Sequence, residues 1–156
     1  MKQLAVLLEW LRPVGIAAAY FCAQFFGTDA VSTFHILGPA VVLLMCGSVA
    51  FESLVLGAAA SEKIGYQPDR AYQVQSGLNN LATAVAMLLA LALHWGSRAE
   101  AALVTVMLLF FTFSALNHLL TALRAHNLKP VNLLRPLLAL LLIGVLLPPM
   151  LAALRQ

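Results

Sequence analysis

Charge is what this sequence has least of. Only 10% of its 156 residues are Asp, Glu, Lys or Arg, against 62% hydrophobic. A soluble domain carries about 25% charged residues, and a water-facing surface cannot be built from so few. The net charge of +3 carries no nucleic-acid signal, because the basic residues stand singly between apolar runs and form no stripe. A nucleic-acid partner is therefore not expected.

Cysteine is nearly as sparse. Cys22 and Cys46 each lie within an apolar run, with no CxxC or Cys/His metal spacing. They are expected at different membrane depths, as small hydrophobes rather than a disulfide. No phosphate loop, dinucleotide fingerprint or zinc-protease motif is present. No candidate span contains an Asp, which excludes a Ser/His/Asp triad inside the membrane. No internal repeat is visible, which argues against a transporter built from repeats. Lys2 resembles the start of a signal peptide, but Glu9 and Arg12 interrupt the apolar run and no cleavage pattern precedes Cys22. The segment is expected to be retained.

What is abundant is uninterrupted apolar chain. Residues 30–51, 71–97, 101–123 and 136–154 contain no Asp, Glu, Lys or Arg, and a helix needs roughly 20 apolar residues to cross the hydrocarbon. No strand-type alternation appears, and a backbone in lipid must satisfy its own hydrogen bonds, so these are helices. A fifth span fits residues 4–28 if it carries Glu9 and Arg12, which share a helical face and can pair. Pro13 is expected to kink it. The alternative is an interfacial helix over residues 1–11 followed by a short span. Charge bias favours five spans. Lys2, Arg12, Lys63, Arg70, Arg124, Lys129 and Arg135 then lie on one side, and only Arg98 and Arg155 on the other. By the positive-inside rule the N-terminus is cytoplasmic and the C-terminus outside, in an inner membrane. Residues 27–29 and 94–98 read as short outer turns, residues 61–70 and 127–135 as inner loops, with a helix cap at Asn132 and a kink at Pro148-Pro149. The expected fold is all-α, one domain over residues 1–156 with five transmembrane helices.

Polar side chains inside spans are costly and need reasons. Glu52, the Asn79-Asn80 pair and the Asn117-His118 pair each lie about two turns from the inner end of their helix, roughly 10 Å below the interface at about 1.5 Å per residue. Gln73, Ser76, Asn80 and Thr83 recur at helical spacing, as do Ser48 with Glu52 and Ser114 with His118. These stripes predict a cytoplasm-facing pocket between spans two, three and four, lined by Glu52, Gln73, Gln75, Asn79, Asn80, Asn117 and His118. Arg70 and Arg124 at its mouth would meet a negative headgroup. The competing reading makes Gln75, Asn79 and Ser114 interhelical glue. Glu52 and His118 are the candidates for general acid/base chemistry, and neither is assigned a catalytic role. As metal ligands they are too few. His35 is about 25 Å from Glu52 along the helix, so His35 and His118 do not form an axial haem pair; His35 and His94 read as interfacial.

Glu62-Lys63-Ile64-Gly65-Tyr66, followed by Tyr72-Gln73-Val74-Gln75-Ser76-Gly77-Leu78-Asn79-Asn80-Leu81, resembles a family of small bacterial multi-pass membrane proteins of unknown function. The family's aromatic-Gln pair, Gly and Asn fall on Tyr72, Gln73, Gly77 and Asn80. Its following-helix His matches His118, and its Asn/Pro loop resembles residues 127–132. The family tends to carry an acidic residue where this chain has Gln75. The likeness covers about residues 50–148. It implies a polytopic fold with a shared polar face and no particular activity.

These observations favour a protein that binds membrane lipid, a quinone-like molecule or another small amphiphile. An enzyme on a lipid-like substrate is the second reading. The third is an accessory subunit whose polar face meets a helix of a partner subunit. A transporter working as a homo-oligomer is a further alternative, and small-residue patterns at 15–19 and 57–61 permit the close helix contact it needs. No cofactor is indicated by any motif.

Overall fold

Apolar runs rich in Leu, Ala and Val, bounded by short polar turns, make helices that lie alongside one another. A computed structural model describes residues 2–65, 67–127 and 129–156, without the side chains of Lys2, Lys63, Ile64 and Val131. The described chain forms six helices: α1 (Lys2–Phe26), α2 (Ala30–Val55), α3 (Gly57–Ile64), α4 (Arg70–Ala92), α5 (Ser97–Arg124) and α6 (Pro130–Leu154). Among the described residues there is no strand. All but α3 are long and apolar enough to cross a membrane, which makes five candidate spans. The architecture is the expected all-α membrane bundle.

The first segment is one continuous helix of 25 residues that runs through Pro13, not an interfacial helix joined to a short span. Proline removes one backbone donor, so the carbonyl one turn earlier loses its helical partner. The remaining bonds of a long apolar helix carry the chain past that gap.

Where an inner loop was expected from residue 61, helix resumes earlier. The Leu56 N–H still closes onto the Glu52 carbonyl at 2.9 Å, and Gly57 then begins α3. The Gly57–Ile64 segment is rich in Ala, Glu and Lys, which favour helix. It ends at Gly65 with φ +78, a left-handed conformation that glycine adopts without a Cβ penalty. Of the loop residues in the resembling motif, Tyr66 lies outside the described residues. The cap expected at Asn132 is also displaced. Helix α6 starts at Pro130, in the first turn where no N–H is needed. Asn132 sits inside that turn, fully buried, with Nδ2 donating to the Asn127 carbonyl at 3.4 Å.

Helix α2 is the hub. It packs against each of the other helices, whereas α1 and α6 both lie on α2 and scarcely touch each other. The chain direction puts α3, residues 67–69 and residues 125–127 at one end, here the α3 end. The turns 27–29 and 93–96 lie at the other, the short-turn end. Toward the short-turn end the packing is dense: Phe34, Leu37, Val41 and Val42 of α2 meet Met87, Val104, Met107 and Leu146, all with no more than 1% of their surface exposed. Toward the α3 end, Gly77 lets α4 approach α2 closely. A Cβ there would stand 2.6 Å from Leu54 Cγ.

Candidate functional site

The α3 end holds a cavity of about 660 Å³, within the range of roughly 300–1,000 Å³ typical of small-molecule sites. Every helix contributes to its wall. Trp10, Arg12 and Pro13 come from α1, and Met45, Val49 and Glu52 from α2. Ser61 of α3 and Gln73 and Ser76 of α4 add polar groups. Phe110, Phe111, Ser114 and His118 come from α5, and Leu134, Arg135, Leu138 and Leu142 from α6. The cavity is therefore broader than the space expected between spans two, three and four, because the first and last spans stand apart and close two of its sides.

Its polar end is organised by Arg12. Ser48 and Glu52 are one turn apart on α2 and so share a face. Arg12, 8% exposed, reaches across from α1 to both: Nε donates to Ser48 Oγ at 3.0 Å and Nη2 donates to Glu52 Oε2 in a buried ion pair. An unpaired charge in a low-dielectric interior is expensive, and pairing with extra hydrogen bonds offsets that cost. The Arg12 guanidinium, expected to pair with Glu9 within α1, thus bonds across to α2. Nearby, Gln73 Nε2 donates to Ser61 Oγ at 2.8 Å, tying α4 to α3. This contact needs Gly57, where a Cβ would fall 2.2 Å from Gln73 Oε1. Arg135 lies within Coulombic reach of Glu52, Arg12 and Glu9. Its buried Nε has no hydrogen-bond partner among the described residues.

Of the residues singled out from sequence, Glu52, Gln73 and His118 line the cavity together. The others do not, and helical phase explains most of them. Helix α4 turns Gln73, Gly77, Asn80, Ala84 and Met87 inward. Gln75 and Asn79 fall about half a turn away and are exposed. Asn117 is likewise exposed on α5, one position from the inward His118. Asn80 is inward and only 1% exposed, but it is spent locally: Nδ2 donates to the Ser76 carbonyl at 2.9 Å, while Oδ1 has no partner among the described residues. Arg70 donates to the Ser53 and Leu54 carbonyls at 3.4 and 3.1 Å, satisfying the C-terminus of α2 rather than guarding a mouth. Arg124 is exposed and outside the cavity wall.

Three groups escaped the sequence reading. From sequence, Arg12 is a partner of Glu9 and, like Arg135, a marker of orientation, and Ser48 is a companion of Glu52 alone. The signal for Arg12 was present: a cation inside a span calls for a buried anion, and Glu52 is the acidic residue at matching depth. Arg135 gave no such signal, because it sat in an expected loop. His35 is also more than interfacial. Its Nδ1 lies 2.6 Å from Oε1 of Glu100, which is 1% exposed. This second polar pair joins α2 to α5 near the short-turn end. Among the described residues no three His, Cys, Asp or Glu side chains converge as a metal site.

No curated protein and no solved structure matches the chain. A family model does: it covers residues 29–156, from the α2 cap to the end and so including Glu52, Gln73, His118 and Arg135, while α1 with Arg12 precedes it. On that match the chain belongs to DUF6790, a family of unknown function.

Proposed function

We propose that the protein is a membrane-embedded binding protein that takes a small amphiphile into the cavity at the α3 end. One observation carries the reading. The cavity has charged and hydrogen-bonding groups at one end, around Arg12, Glu52 and Arg135, and an apolar body of Trp10, Phe110, Phe111 and Leu138. A polar head and a hydrocarbon tail would both be matched. The gap between α1 and α6 supports entry from the side. Its flanking residues Trp10, Leu137 and Leu141 line the cavity and are also exposed, so a lipid-soluble ligand need not pass through water. The imbalance of Lys and Arg toward the α3 end supports a cytoplasmic position for that end in an inner membrane. The polar head would then lie roughly 10 Å inside the cytoplasmic interface.

Native mass spectrometry of the detergent-purified protein tests the proposal. Wild type is expected to carry a bound amphiphile as a discrete mass adduct. Ser114→Phe fills the cavity from α5 without touching the Arg12–Glu52 pair, and should lose the adduct while its thermal unfolding stays close to wild type. Absence of an adduct from wild type, or an equal adduct on the filled variant, overturns the reading.

A further inference from the structure

The polar end of the cavity discriminates among head groups, and its hydrogen-bonding inventory says which. A guanidinium donates hydrogen bonds and never accepts them. Arg12 is engaged by Ser48 and Glu52. Arg135 lines the same space, and its buried Nε has no hydrogen-bond partner among the described residues. The carboxylates are differently placed. Glu52 accepts from Arg12, and Asp69 at the rim accepts from the Tyr72 N–H at 3.0 Å while capping α4. The open chemistry is therefore a donor seeking an acceptor.

Charge narrows the choice further. Arg12 and Arg135 are matched by Glu9 and Glu52 among the described cavity residues, with Asp69 at the rim. An anionic phosphate or carboxylate head would enter beside three carboxylates, and like charges repel strongly where water is scarce. A cationic head would meet the Arg135 guanidinium, a charge of its own sign. A neutral head with strong acceptor oxygens answers the free donor without adding charge. Resting on the amphiphile reading above, we propose that the cavity binds a neutral carbonyl-bearing amphiphile of quinone type. Its ring oxygen accepts from Arg135, and its apolar chain lies along Phe110, Phe111 and Leu138 toward the gap between α1 and α6.

Trp10 gives a built-in reporter, since it lines the cavity whereas the second tryptophan, Trp95, stands at the short-turn end. In nanodiscs, the Trp95→Phe protein titrated with decylubiquinone should show saturable quenching of Trp10 above the linear background from quinone dissolved in the bilayer. Arg135→Met should weaken the saturable phase roughly tenfold or more, the cost of a lost charged hydrogen bond. Arg135→Lys should fall between the two, since it keeps a donor and loses the planar fork. Raising the nanodisc content of phosphatidylglycerol should not compete. Unchanged affinity in both Arg135 variants overturns the proposal. So does displacement by phosphatidylglycerol, which would make the head anionic while leaving a binding cavity in place. If wild type and Ser114→Phe both show only the linear background, the cavity reading itself fails. Should Arg135→Met not fold, the lysine variant and the lipid competition still decide the matter.

Discussion

The two ends of the bundle bury ionisable groups in opposite ways. At the α3 end Arg12 and Glu52 are both withdrawn from the surface, bridge α1 to α2, and stand beside open space. At the short-turn end only Glu100 is withdrawn. Its partner His35 keeps 56% of its side chain exposed, and beside them Phe34, Leu37 and Val104 pack into the buried apolar core. A pair that is half exposed can relax toward the interface when it is damaged. A pair enclosed on both sides cannot. The α3 end thus places an enclosed charged pair against a cavity, whereas the short-turn end uses its pair to fasten α2 to α5.

The contrast is broken most severely by removing one member of the enclosed pair. Glu52→Leu removes the carboxylate that the buried Arg12 guanidinium donates to, and Arg12→Met removes that guanidinium from Glu52. Each single change should cost about 3–5 kcal/mol, because one member of a buried ion pair is lost while the other charge stays in place. The double variant should recover most of the loss, since an apolar pair of similar volume needs no desolvation. Chemical denaturation in detergent micelles, run as a double-mutant cycle, reads the coupling directly. Additive losses would show that the two side chains act independently, and the distinction between the ends would go with them.

A smaller effect is expected at the short-turn end. His35→Phe removes the partner of a buried carboxylate whose second oxygen, Oε2, already lacks one among the described residues. The expected cost is about 1–2 kcal/mol, the penalty of a buried acceptor left unmet reduced by the exposure of His35. His35→Phe combined with Glu100→Leu should return close to wild type by the same chemical denaturation assay. A loss as large as that of Glu52→Leu would make the two pairs equivalent.

How far the sequence foretold this arrangement also differs between the ends. Span number, the all-α class and the inward placement of Glu52, Gln73 and His118 follow from runs free of charge and from 3.6-residue periodicity, which are local properties. Phase within a helix was the weak step. Gln75 and Asn79 are polar and at the right depth, yet α4 turns them away, because its contact face is set by Gly77 and Ala84 against α2. Arg12 could have been paired with Glu52 from depth alone. The His35–Glu100 contact joins residues 65 apart in sequence, and it depends on α5 beginning at Ser97 rather than at the first apolar residue. Glu100 is thereby drawn inside a helix that the charge pattern had started one residue later. Tertiary contacts of that kind have no short-range signature.

The smallest expected effect sharpens the comparison at its edge, where water meets the short-turn end. Asp29 is the N-cap of α2: its Oδ1 accepts from the Ser32 N–H at 2.7 Å, and Ser32 Oγ accepts from the Asp29 N–H at 3.0 Å. These bonds favour the carboxylate, with the Ser32 backbone bond first among them, and hold the Asp29 carboxyl below its ordinary value of 3.8. The folded state therefore binds the proton less readily than the unfolded chain. The capping contribution is complete above the ordinary value and is lost as pH falls through it toward the lower folded one. Asp29→Asn keeps an acceptor at the cap but cannot titrate. As pH is lowered from about 5 to about 3, the unfolding temperature of wild type should fall more steeply than that of Asp29→Asn. Every other carboxylate is common to the two proteins and cancels in the difference. Parallel slopes would mean that the cap contributes nothing specific to its charged form, and the edge of the short-turn end would lose its distinction.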